Sequence, residues 1–174
     1  LVKHRYVFTA GYELPFRFGS QTAQHVLGGW QVNASAFWQS GLPFDVTNQN
    51  AAVNNGGTHR PNLVGDPNLP KSERTVDRWF NTAAFERQAA FTAGDAPRNM
   101  MTGPAQRRLD LSFFKNVELG AARRLQVRWE IFNVLNTANF APPNSLLGNP
   151  QFGRITSTGN AIARQMQFGA RFAF

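Results

Sequence analysis

The chain has three histidines, ten carboxylates and eighteen lysines or arginines, and it contains no cysteine. Metal binding and acid–base catalysis need His and carboxylate groups at short spacings that share a face. His4, His25 and His59 are scattered, and none has a neighbour at such a spacing. His59 has Asp66 a few residues on, which reads as a lone, solvated loop pair. Without cysteine there is no zinc thiolate, thiol nucleophile or disulfide framework. No strand–turn–helix nucleophile elbow and no phosphate-cradling glycine run is present either. These residues predict no enzyme, no catalytic residue, no metal site and no cofactor.

Two other groupings point to recognition. Arg78, Trp79 and Phe80 are consecutive, with Phe85 and Phe91 close behind. Aromatic faces beside hydrogen-bonding cations suit a sugar, a siderophore or a peptide. Arg78, Trp79, Phe80 and Phe85 are the candidate ligand-contacting loop, and the competing reading is a long loop packed onto itself. The formal charge of +8 raises a nucleic-acid reading. The cations, however, sit singly or alternate with acids rather than forming a stripe, so no nucleic-acid partner is expected. Basic loops facing anionic lipopolysaccharide account for the charge.

The elements that must position these groups follow from alternation. Charged residues make up only 16% of the chain and aromatics 13%, with 16 Phe, 15 Gly and 10 Pro, a composition of strands and irregular loops. Side chains alternate faces along a strand. Tyr6, Phe8, Ala10, Tyr12, Leu14, Phe16 and Phe18 share one parity, opposite Arg5, Thr9, Glu13 and Arg17. Trp30, Val32, Ala34, Ala36, Trp38, Leu42 and Phe44 repeat the pattern, with Phe37 as an exception on the polar side. Leu109, Leu111, Phe113 and Val117 oppose Arg108, Asp110, Ser112 and Asn116. Leu125, Val127, Trp129, Ile131 and Leu135 oppose Arg124, Gln126, Arg128 and Glu130. Met166, Phe168, Ala170, Phe172 and Phe174 oppose Gln165, Gln167 and Arg171. The spacing predicts five long strands over about 4–18, 29–44, 107–117, 123–136 and 164–174.

Alternation alone fits a soluble sandwich or a membrane sheet. Three features favour the membrane. First, Trp30 and Trp38 bracket Val32, Ala34 and Ala36, and eight tilted residues span roughly 20 Å, near the apolar band of an outer-membrane barrel. Tyr6, Phe8, Trp30, Trp38 and Trp129 are therefore the expected lipid-facing girdle. Second, connectors alternate long and short, with long ones at about 45–105 and 137–163, expected to be extracellular loops. Third, the last residues resemble the signal received by the barrel assembly machinery: polar Gln167, Gly169, and alternate aromatics Phe172 and Phe174.

The expected fold is therefore all-β: an antiparallel up-and-down meander of about five long strands, forming the C-terminal part of a transmembrane β-barrel. Five strands cannot close in hydrocarbon, where each open edge group costs several kcal/mol. Residues 1–174 are thus expected to be one segment of a larger barrel, a view that beginning at Leu1 rather than Met suits. Inward-facing charge would comprise Arg5, Glu13, Arg17, Arg108, Asp110, Arg128, Glu130 and Arg171.

The run GWQVNASAFWQSGLPFDV, then RPNLVGDP, RWFNTAAF, APRNMMTGP, LDLSFFKN, VRWEIFNVLNTANFAPPN and FGRIT resemble the C-terminal barrel of TonB-dependent receptors. The likeness is to the group with an N-terminal carboxypeptidase-regulatory-like domain, of acidobacterial type. It covers nearly the whole chain in order. It implies a bacterial outer-membrane barrel of 22 strands, taking up a ligand with energy from TonB through an N-terminal plug. Neither plug nor TonB-binding segment lies in these residues. Alternatives are a soluble β-sandwich sugar-binding or adhesion module, and a non-transport outer-membrane barrel.

Overall fold

The computed structural model describes residues 2–48, 59–120, 123–159 and 163–174. Five long strands carry the alternating segments: β1 (Arg5–Glu13), β2 (Trp30–Gln39), β3 (Gln106–Glu118), β4 (Arg124–Phe132) and β5 (Gln165–Ala173). They form one sheet in the order β1-β2-β3-β4-β5, so each long strand lies beside its successor, an up-and-down meander. Antiparallel pairing aligns Tyr6 with Trp38 and Tyr12 with Val32, Phe113 with Trp129, and Phe168 with Trp129.

Several strands are shorter than alternation suggests, for identifiable reasons. β1 stops at Glu13 because Pro15 offers no ladder N–H, although Leu14 N–H still reaches Trp30 O at 2.8 Å. β4 stops at Phe132 because Asn133 and Asn136 take φ of 51° and 50°, left-handed backbone that Asn tolerates better than most residues. The Asn133 side chain closes that turn, accepting from Thr137 N–H at 3.0 Å and donating to Thr137 O at 3.1 Å. β2 ends at Gln39, and Pro43–Phe44 leave it to pair with Met101–Thr102. Gly41 permits that departure, since a Cβ there would lie 1.8 Å from Gly103 O. The connector after β1 also holds a short helix, α1 (Gln21–Leu27), that the alternation does not announce. Its residues are free of Gly and Pro, and Gly28 ends it with N–H to Gln24 O at 3.0 Å.

The described chain divides into two compact units, and the sheet is one of them, comprising residues 5–39, 107–138 and 162–174. It is a single layer. All nine residues of β1 are exposed, as are eight of nine in β5, and Ile131 is the one buried hydrophobic residue on the long strands among those described. A soluble sandwich would bury its apolar face under a second sheet. Here Tyr6, Phe8 and Phe168 remain 63%, 63% and 74% exposed.

The second unit comprises residues 1–4, 40–106 and 139–161, and it has its own core. Val46, Phe80, Ala84, Phe85, Ala96 and Met101 are buried, with Phe44, Leu63, Trp79 and Phe152 packed against them. Phe80 is surrounded by rings: Phe152, Phe85 and Phe44 lie 5.2, 5.8 and 6.0 Å away, centroid to centroid. The stretches 45–105 and 137–163, read from sequence as separate loops, therefore fold together. Backbone bonds join them, Trp79 N–H to Gly153 O at 2.9 Å and Ile155 N–H to Val76 O at 2.7 Å, and Arg154 meets Asp77.

Candidate functional site

The sheet's two faces differ in chemistry, and the strand register shows how. On the apolar face, Tyr6 touches Trp38 across β1 and β2 at 5.5 Å, near the Gln39 end of β2. Trp30 starts β2 at the other end. Between them the β1–β2 pair carries Phe8 opposite Ala36 and Ala10 opposite Ala34. Across β3, β4 and β5, Phe113, Trp129 and Phe168 stack as a three-ring ladder, with centroids 5.4 and 5.6 Å apart. Trp129 thus stands nearer the middle of its strand than Trp30 or Trp38 do. The ladder borders an apolar recess of about 350 Å³ shared with Leu14, Trp30 and Val127. The Trp129 indole N–H is buried with no hydrogen-bond partner among the described residues.

The opposite face is polar and cross-linked. Arg108 Nε lies 2.8 Å from Asp110, which also accepts Asn133 N–H at 2.8 Å. Gln126 donates to Asn116 and Gln31 to Asn33, each at 3.0 Å. Glycines make room for these long side chains: a Cβ at Gly169 would sit 2.7 Å from Arg128 Nε, and one at Gly11 2.7 Å from Asn33 Oδ1. Phe37, the exception to parity, lies under the Arg5 guanidinium at 5.2 Å. A depression of about 360 Å³ lies among Thr9, Asn33, Ser35, Asp110 and Ser112.

Lys115 breaks the apolar parity inside the run from Leu109 to Val117, and sequence reasoning missed it. Lys115 pairs with Val127 on the apolar face, between Phe113 and Val117. It is only 6% exposed. Its ammonium bonds Gly28 O and lies 5.5 Å from the Trp30 ring. An aliphatic stem along an apolar wall with its head turned to a carbonyl is the geometry of a snorkelling lysine. Counting every odd position from 109 to 117 would have exposed it.

At the chain's end, Gln167 pairs with Glu130 and Gly169 with Arg128 on the polar side, while Phe172 pairs with Leu125 on the apolar side. Phe174 is 95% exposed and lies 6.0 Å from the Phe172 ring.

The candidate ligand-contacting loop is corrected by burial. Phe80 and Phe85 are 0% and 4% exposed and form the loop core, so neither presents a face to a ligand. Trp79 is half-buried and donates its indole N–H to Thr102 O at 2.9 Å, with the Arg74 guanidinium 5.8 Å from its ring. Arg78 alone of the four is exposed, while Phe91, at 87%, is the loop's exposed ring. Hydrophobic burial outcompetes display for three of the four residues.

His59 is also repositioned. It is held not as a solvated partner of Asp66 but by a backbone bridge to Asn48, whose N–H reaches His59 O at 2.6 Å. Its Nε2 is buried without a partner among the described residues. Those residues contain no group of three or more His, Asp or Glu placed to hold a metal, and no helix long and apolar enough to cross a membrane.

A protein-family model described as an outer membrane beta barrel domain matches residues 1–167. No curated protein and no solved structure matches the chain.

Proposed function

The chain belongs to the outer membrane beta barrel domain family and resides in the bacterial outer membrane, and from that premise we propose that it is part of a TonB-dependent receptor barrel that takes up a ligand. The observation that carries this reading is the loop unit. Residues 40–106 and 139–161 build their own core around Phe80, which holds the loop stretches in one fixed shape, as a recognition surface needs. In this reading the apolar parity meets lipid and the polar parity lines the lumen. The free edges of β1 and β5 pair with further strands, since unpaired backbone in hydrocarbon is prohibitively costly. Loop cations meet lipopolysaccharide, and the ligand is a siderophore, an oligosaccharide or a peptide.

The test needs no ligand. In cells, photo-crosslinkers placed through the periplasmic N-terminal region of the full-length protein should yield an adduct with TonB. Absence of any adduct, with the barrel correctly inserted, would leave a non-transport barrel as the better reading. Recovery of the full-length protein in the soluble periplasm would instead return the sandwich reading.

The assembly machinery is the other partner in this proposal. Phe174 is almost fully exposed, so its removal alters little packing within the sheet. Phe174→Ser should therefore reduce surface display of the full-length protein several-fold while leaving the strand propensity of 165–173 nearly intact. Surface labelling of intact cells measures this, and display equal to the parent would contradict the role given to Gln167, Gly169, Phe172 and Phe174.

A further inference from the structure

We propose that the loop unit contains a binding site for an anionic group, built by Arg60 and Arg98. A solvent-open cavity of about 360 Å³ lies among them, with Asp45, Thr47 and Gly94 also on its lining. Two arginines on the lining of one small cavity would ordinarily attract carboxylates from the protein itself. Neither Arg60 nor Arg98 is in an ion pair among the described residues, whose pairs are Arg108–Asp110, Arg124–Glu118 and Arg154–Asp77. Asp45, the one carboxylate on the lining, accepts the Asn99 backbone N–H.

Arg60 is held rather than left loose. Arg60 Nη1 donates to Ala96 O at 2.7 Å, which fixes one corner of the guanidinium and leaves its other N–H groups for a ligand. Gly94 lets its backbone lie directly against that of Arg60, since a Cβ at position 94 would stand 1.9 Å from Arg60 O and 2.5 Å from Pro61 O. His59 also lines the cavity.

The matching chemistry is an anion with two or more oxygens, because planar guanidinium forks engage carboxylate or phosphate oxygens in pairs. A neutral sugar would leave both charges uncompensated. The inference sharpens the ligand class of the receptor reading and rests on it for its purpose. Binding itself needs no TonB, so the two ideas fail in separate experiments.

The test is calorimetric titration of the full-length protein in detergent at pH 7, with citrate as the carboxylate probe and pyrophosphate as the phosphate probe. At least one should bind the parent, and which one binds assigns the oxygen class. Arg98→Gln should weaken that binding by about threefold or more, on the scale where 1.4 kcal/mol is tenfold. Arg60→Gln should weaken it similarly, but that change also removes the bond to Ala96, so Arg98→Gln decides. Arg164→Gln, outside the cavity, should bind as the parent does. No binding of either probe at millimolar concentration, or a loss in Arg98→Gln below about threefold, would overturn the proposal.

Discussion

Ala34→Arg should lower the unfolding free energy of the full-length barrel by about 2–4 kcal/mol, the cost of a cation at the lipid face near the bilayer midplane. Ala34 sits in mid-strand opposite Ala10, on the parity that carries Phe8, Trp38 and Tyr12. An arginine there must cross apolar surface to reach water. One residue on, Ser35 pairs with Thr9, on the parity that carries Asn33 and Gln31. Ser35→Arg should therefore change stability by no more than about 0.5 kcal/mol, as an ordinary substitution on a hydrated surface does. Guanidinium titration of both variants refolded into vesicles measures the difference. Equal losses at 34 and 35 would mean that the two faces have been assigned to the wrong surroundings.

Phe80→Ala should be the most damaging single change in the loop unit, costing about 3–5 kcal/mol of its local stability. The side chain is fully buried and touches three further rings, Phe44, Phe85 and Phe152. Phe152 belongs to the second loop stretch, so the cavity would open at the junction that holds both stretches together. Limited proteolysis of the full-length protein should then cut within 40–106 and 139–161 far sooner than in the parent. Phe91→Ala is the matched comparison. That ring is 87% exposed, and its loss should leave the cleavage rate nearly unchanged. Equal protection of Phe80→Ala and parent would show that the rings around residue 80 do not hold the unit together.

The sheet was legible because its code is local. A period of two needs no knowledge of distant residues, and it located all five strands and the polar and apolar parities. Strand ends were less legible, since the left-handed Asn133 and Asn136 look like ordinary polar residues until their φ is known. Pro15 was visible but was overrun by the parity of Phe16 and Phe18 beyond it. The loop core was legible only as the competing reading of a long loop packed onto itself, without its partners. Phe80 meets Phe152 through an irregular backbone with no repeating period, so nothing in the local sequence distinguishes a buried ring from a displayed one. The cavity lined by Arg60 and Arg98 was hidden for the same reason, its sides being brought together only by the fold of the 45–105 stretch.

The account depends on the apolar face of an outer-membrane sheet lying against acyl chains, and the chain's four tryptophans test this together. Trp30, Trp38 and Trp129 are on that face, whereas Trp79 belongs to the loop unit. The measurement is fluorescence quenching by lipids brominated along their acyl chains, on full-length protein carrying each residue as its sole tryptophan. Strong quenching of Trp129, with Trp79 almost unaffected, is the predicted result. Trp129 as unquenched as Trp79 would contradict it.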